Sequence, residues 1–109
     1  MREILFRGKR IDNGYWVEGF YWTMIYQPHF IRNTECGDST DHEINPETVG
    51  QFTGLTDKNG VNIFEHDIVY LGGYGDYTVQ YPFIELFEAC FEGDIGSIKG
   101  NIHDNPELL

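Results

Sequence analysis

Residues 46–69 read PETVGQFTGLTDKNGVNIFEHDIV, and this stretch sets the plan of the chain. Glu47, between Pro46 and Thr48-Val49-Gly50, suits a turn or a cap. Residues 49–55 then take on β character. Asp57-Lys58-Asn59-Gly60 is a hairpin turn, since Asn-Gly supplies the positive φ angles that a tight reversal requires. Residues 62–64 form the returning strand and residues 67–71 the next one. Short strands broken by glycine-containing turns predict a mainly β fold.

Toward the N-terminus, residues 4–7 and 16–26 are apolar and aromatic runs separated by Asp12-Asn13-Gly14, which predicts an N-terminal β-hairpin. Gln27-Pro28 ends the second run because proline cannot donate to a strand ladder. Residues 29–32 are a further short strand. Residues 33–43 carry Glu35, Asp38, Asp41 and Glu43 with little to bury, and are expected as an exposed, mobile acidic loop. Their spacing does not fit an EF-hand, which needs glycine at the sixth position and glutamate at the twelfth.

Toward the C-terminus, residues 72–76 form a glycine-rich turn into a strand over residues 77–81. No lysine and following helix stand where a phosphate-cradling loop would need them. The pattern then changes period. Phe83, Leu86, Phe87, Cys90 and Phe91 fall at helical spacing, with Glu85, Glu88 and Glu92 opposite. With Pro82 at the first helical position and Gly93 just past the end, this predicts one short C-terminal helix over about residues 83–92. Cys90 is expected on its buried stripe as a small core side chain. Residues 95–102 are a closing strand, and Leu108 and Leu109 are expected to anchor the tail.

The length of 109 residues fits one domain spanning residues 1–109. Roughly two thirds of the unfolded surface is buried at this size. Apolar content of 40% and 16% aromatics are far from a disordered composition. The formal charge of −11 opposes non-specific affinity for nucleic acid or anionic membrane. It is unevenly spread: the first ten residues carry +3 and the remaining 99 carry −14. The plainer meaning is an acidic domain with a basic edge strand. The sharper one is a DNA-mimicking or cation-seeking acidic face. No secretion signal and no membrane-spanning run are evident, so a cytoplasmic location is expected, with Cys36 and Cys90 reduced.

Three blocks stand in order: residues 1–20 (MREILFRGKRIDNGYWVEGF), residues 44–70 and residues 100–109 (GNIHDNPELL). FRGK, a Trp-Val-x-Gly strand, PETVGQ-x-TGL-x-DKNG and GNI-x-x-NPELL make a specific combination. In it the chain resembles the YopX family of phage and prophage proteins. The resemblance implies an SH3-like small barrel built around the middle block, a phage or prophage gene, and no enzyme activity. One departure is local. The family usually has Glu-Gly-Asp where this chain has Glu65-His66-Asp67. Either the glycine serves a positive φ and His66 is strained there, or the backbone is ordinary and His66 projects to solvent. Residues 23–43 do not match closely.

Reactive constellations are sparse. His66-Asp67 and His103-Asp104, with Asp41-His42-Glu43, invite comparison with a divalent-metal site. Neighbours on a strand point to opposite faces, and the i, i+4 histidine spacing of hydrolytic zinc sites is absent. Ser39 and Ser97 are the only serines, and neither lies in a Gly-x-Ser-x-Gly elbow. No catalytic residue, metal site or cofactor is therefore expected.

Aromatic crowding is the main surface signal. Tyr15, Trp16, Phe20, Tyr21, Trp22 and Tyr26 occupy one strand, with rings on both faces. A core uses one face only. One meaning is that the rings cover the core and a flanking loop. The other is a protein interface at Trp16, Tyr21, Trp22 and Tyr26, either self-association into a homo-oligomer or contact with another phage or host protein. The alternative is a nucleic-acid-binding small barrel using Arg7, Lys9 and Arg10 beside stacking rings, which the overall acidity disfavours.

Overall fold

Positive φ at Gly14 (73°) turns the chain back between Arg10 and Tyr15, whose backbone groups pair at 2.9 Å, so the expected N-terminal hairpin forms. The computed structural model describes residues 5–23, 28–33 and 40–108, in two compact units, Met1–Phe52 and Thr53–Leu109. It is mainly β with one short helix.

In the first unit, β1 (Phe6–Lys9) pairs antiparallel with β2 (Trp16–Thr23), β2 with β3 (His29–Arg32), and β3 with β4 (Asp41–Ile44). The free edge of β1 takes Gly50 and Gln51, the first residues of β5 (Gly50–Thr56). An isolated bridge from Arg10 to Ile44 brings β4 back to the end of the first hairpin strand. Alternation does the sorting here. Val17, Ile31 and Ile44 point inward and are buried, with Phe6, Tyr21 and Val49 packed around them. Gly8 and Gly19 share this inner face. A Cβ on Gly19 would collide with the backbone carbonyl of Arg32, so β2 and β3 approach as they do only without a side chain there.

The acidic loop expected over residues 33–43 does not extend through residues 41–43. Asp41-His42-Glu43 are paired in β4, where Asp41 lies opposite Arg32 and Glu43 opposite Phe30. Carboxylates on a strand are acceptable when their face meets solvent or a cation, as here. Residues 34–39 of that expected loop, Cys36 among them, and residues 24–26 of the run expected over 16–26 lie outside the described residues. Next comes a short 3-10 turn, Pro46–Thr48, capped by the Asn45 side chain, which accepts the Glu47 N–H at 3.1 Å. Thr48 Oγ1 accepts the Lys9 N–H at 2.8 Å and donates to the Asn45 carbonyl at 2.7 Å. Glu47 thus has the turn position expected of it.

In the second unit, β5 turns through Asp57–Gly60 into β6 (Asn62–Phe64), with Gly60 at φ 82°. β7 (Asp67–Leu71) is the centre of a three-stranded antiparallel sheet, flanked by β8 (Gly75–Thr78) and β9 (Ile95–Asn101). Strand pairing closes neither sheet. The core holds Ile63, Val69, Leu71, Val79, Phe83, Leu86 and Ala89. Each large side chain buried there contributes roughly 1.5–3 kcal/mol. The strand expected over residues 77–81 stops at Thr78, and buried Val79 instead donates its N–H to the Asp67 carbonyl.

The helix, α1, spans Ile84–Glu92. Pro82 is not its first residue as expected. Phe83 intervenes with a left-handed φ of 68°, which a helix interior cannot contain, so the helix starts one residue later. Its end is as expected: Gly93 at φ 74° donates to the Cys90 carbonyl, and Asp94 donates to that of Ala89, a Schellman closure.

The buried stripe differs from the expected one. Leu86 and Ala89 face the core with Phe83, whereas Phe87 is exposed, Phe91 is 93% exposed and Cys90 is an exposed free thiol. Ala89 gives the helix a small side chain to lay against the sheet. The larger Cys90 and Phe91 face outward, so Cys90 is a surface side chain and not a core one. At the tail, Leu108 closes a 3-10 turn and is exposed rather than anchored, and Leu109 lies outside the described residues.

Candidate functional site

The outer face of the first unit's sheet carries every second residue of its strands. Arg7 and Lys9 come from β1, and Trp16, Glu18, Phe20 and Trp22 from β2. Phe30 and Arg32 come from β3, Asp41 and Glu43 from β4. Of the expected interface residues, Trp16 and Trp22 are on this face. Tyr21 is not. It points inward, stacks on His29 with centroids 5.8 Å apart, packs on Phe6 at 5.5 Å, and shares a 2.6 Å hydrogen bond with His29 Nδ1. Odd–even alternation along β2 requires this, because Tyr21 has the parity of buried Val17. Tyr26 lies outside the described residues.

Two ring clusters organise the face. Near its start, the Arg7 guanidinium lies 4.5 Å from the Trp16 ring centroid and the Lys9 ammonium 5.5 Å, both within cation–π range. Farther along β2, Trp22 stacks on Phe30 at 4.6 Å and 22°. The Trp22 indole N–H donates to Asp41 Oδ1 at 3.0 Å, and Arg32 grips both Asp41 oxygens at 2.9 Å each. Those donors hold the Asp41 carboxyl at about 2, with the Arg32 hydrogen bond the first cause and Trp22 the second. Indole and guanidinium are thereby locked in place by one carboxylate. Between the clusters stands Phe20, 56% exposed.

Phe30, Arg32 and Asp41 are members of this surface that the sequence alone did not single out. Their signal was available only as strand parity, once the β2–β3 register places Phe30 and Arg32 and the β3–β4 register places Asp41. Arg10, grouped with Arg7 and Lys9 in sequence, stands apart from them. It forms a bidentate pair with Asp12 at 3.0 and 2.7 Å in the hairpin turn, and the Asp12 carboxyl is lowered by that pairing.

The charges of the face cancel: Arg7, Lys9 and Arg32 stand against Glu18, Asp41 and Glu43. What distinguishes it is three large rings on β2 with Phe30 beside them, set in a neutral polar frame.

His66-Asp67 and His103-Asp104 lie at the start of β7 and just after β9. His66 sits in the turn before β7 with φ 79°, so the position where the resemblance expects glycine has a left-handed backbone. The His66 ring meets the His103 ring edge to face, 5.2 Å between centroids. Asp67 is buried and accepts the Phe64 N–H at 2.8 Å, closing the β6–β7 turn. Among the described residues, no three histidine, cysteine or carboxylate side chains gather as ligands. Nor is any described helix long and apolar enough to cross a membrane.

Comparison with known proteins gives one result. A family model described as YopX protein matches residues 5–92; the match includes residues 23–43 and stops short of the third block. No curated protein and no solved structure matches the chain.

Proposed function

This chain belongs to the YopX family, and on that premise we propose that it is a phage- or prophage-encoded accessory protein that acts in the host cytoplasm through protein–protein contact and carries out no catalysis. We take its second unit as the SH3-like element of the fold. Two strands of one sheet and three of another enclosing a single core support that assignment, in the coarse sense of a five-stranded β module.

The observation that carries the interaction reading is the outer face of β1–β4. Trp16, Phe20 and Trp22 line one side of β2, yet the core of that sheet is already filled from the other side by Val17, Ile31 and Ile44. Trp16 is held by Arg7 and Lys9, and Trp22 by Phe30 and the Arg32–Asp41 pair, which lowers the ordering cost of an association. Self-association is the first expectation, because a two-fold contact needs only one self-complementary patch.

Light scattering on a concentration series is the direct test. Oligomers that dissociate on Phe20→Glu support the proposal. A wild-type monomer at all concentrations that also captures no phage or host protein, with Phe20→Glu behaving identically, defeats it.

A second reading has one specific observation behind it: Arg7 and Lys9 gathered over Trp16 make a cationic, aromatic spot of the kind that stacks on bases. Binding of single-stranded DNA or RNA that weakens steeply with salt and is lost in Arg7→Gln/Lys9→Gln would favour it over the neutral-face reading.

A further inference from the structure

The second unit holds a cleft that has no part in the surface described above. It opens between β8 and the start of α1, has a volume of about 450 Å³, and is lined by Tyr74, Tyr77, Tyr81, Asp76, Ile84 and Glu85 among others. Its size is in the range of about 300–1,000 Å³ usual for small-ligand clefts. Three tyrosines and two carboxylates share this depression.

The rings are arranged as walls. Tyr74 and Tyr77 meet at 85° with centroids 5.8 Å apart, making a corner. Tyr81 stands across the turn, braced edge to face on the buried Phe83 ring at 5.6 Å. Tyr74 is 67% and Tyr81 72% exposed, so neither ring is needed by the core. Tyr77 is half-buried, and its hydroxyl donates to Glu85 Oε2 at 3.0 Å. Burial first, and Glu85 second, push its phenol up to about 12, so it stays a neutral donor.

Aromatic faces carry negative potential and attract cations. Carboxylates at the rim add to that attraction, and each retains acceptor capacity beyond its present hydrogen bond. The same neighbourhood already seats a cation: Lys99 Nζ lies 3.1 Å from Asp76 Oδ1 and 5.8 Å from the Tyr70 ring centroid. The wider field agrees. Thr53–Leu109 holds ten carboxylates against two lysines, a formal charge of −8, and α1 contributes Glu85, Glu88 and Glu92 with no base.

We propose that the Tyr74–Tyr77–Tyr81 cleft is a binding site for an organic cation, and that its occupant is an arginine or lysine side chain of a basic peptide segment in a partner protein. A basic segment is complementary to the −8 unit as a whole, which a single small cation would use only in part. The side chain lies against the Tyr74 and Tyr81 faces, and its charged head is directed to Glu85.

Amide-resolved NMR titration of the whole chain tests this. The probe is a short Gly/Ser peptide with one central arginine, run beside the same peptide with citrulline (neutral and nearly isosteric) and beside tetramethylammonium. The expected result is shifts confined to residues 74–85 with the arginine peptide and absent with citrulline. Tyr74→Ala and Tyr81→Ala each weaken binding by roughly two- to fivefold, and the double variant by about tenfold. Since both rings are exposed, an unchanged amide spectrum outside the cleft verifies that the variants fold, and Glu85→Gln provides a third that leaves the rings in place.

No shifts at millimolar arginine peptide, equal shifts with citrulline, or binding that survives loss of both tyrosines would overturn the site. Tetramethylammonium binding without peptide binding would overturn the peptide occupant in favour of a free quaternary amine. Phe20→Glu leaves the titration unchanged, so failure here and failure of the β1–β4 interface are separately visible.

Discussion

The carboxylate of Asp57 and the backbone N–H of Ile98, 41 residues apart, are joined by a 3.0 Å hydrogen bond. The other Asp57 oxygen accepts the N–H groups of Asn59 and Val61, at 2.8 and 3.0 Å, from within its own hairpin turn. One buried side chain therefore shapes the β5–β6 turn and ties it to β9. Burial alone would raise the Asp57 carboxyl, but the donors from Ile98, Val61 and Asn59 outweigh it and hold the group below its ordinary value of 3.8.

Asp57→Ala should cost about 2–3 kcal/mol in urea unfolding at pH 7, because it strands three backbone donors, one of them in the closing strand. The pH dependence follows from the lowered value. Stability from this group is fully present above about 3.8 and is lost as pH falls through the folded-state value beneath it. Asp57→Asn, measured across pH 2–6, should flatten that part of the profile. An unchanged profile would mean that the three bonds do not depend on the charge.

At His66 the φ of 79° makes a sign prediction. On an ordinary backbone, glycine is less stable than alanine by roughly 0.5–1 kcal/mol. In the left-handed region the order reverses, since a Cβ costs about 1–2 kcal/mol there. His66→Gly should therefore be more stable than His66→Ala in chemical denaturation, both lacking the edge-to-face contact with His103. The opposite order would show that the turn does not hold its φ in solution.

On the outer face, the Asp41 carboxyl should titrate at about 2 by NMR. Arg32→Gln should move it up toward 3.8, as the largest cause of its lowering is removed. As the folded value is the lower one, any stability from this carboxylate is present above 3.8 and fades as pH falls toward 2. Trp22 fluorescence should respond in the same window, because its indole N–H donates to Asp41 Oδ1.

Gly19→Ala should be among the most damaging small changes in the first unit. The added methyl meets the Arg32 carbonyl, so β2 and β3 must separate or shift. A loss of about 1–3 kcal/mol is expected, together with weaker Trp22–Phe30 stacking in near-UV circular dichroism. Gly14→Ala is the contrasting change: its φ of 73° is left-handed, so its cost is backbone strain alone, because a Cβ there meets nothing within 4 Å.

Turn chemistry was readable in the residues themselves. Asn13-Gly14 and Asn59-Gly60 mark both hairpins because only residues tolerant of positive φ fit there, and Gly93 marks the helix end for the same reason. The strands between these turns, the single helix and the aromatic surplus on β2 follow from local spacing. Local spacing did not separate equivalent faces. Helical periodicity was compatible with Cys90 and Phe91 buried or with Ala89 buried, and the space left by Val69, Leu71 and Val79 selected the smaller side chain.

Cross-strand relations lay further still from local pattern. Tyr21 and Trp22 are adjacent in sequence and equally aromatic, yet strand parity sends one to the core and the other to the surface. Asp41, placed by composition in a loop, became the carboxylate that fixes Trp22 and Arg32 through β3–β4 register. The three tyrosines of the second cleft come from the β7–β8 turn, β8 and the approach to α1, and meet only because that chain segment folds back on itself. Residue identity determined the turns, the strands and the charge, since these depend on backbone preferences over a few positions. Tertiary structure decided which rings face outward and which residues share a site, since both depend on pairings between distant strands that leave no local trace.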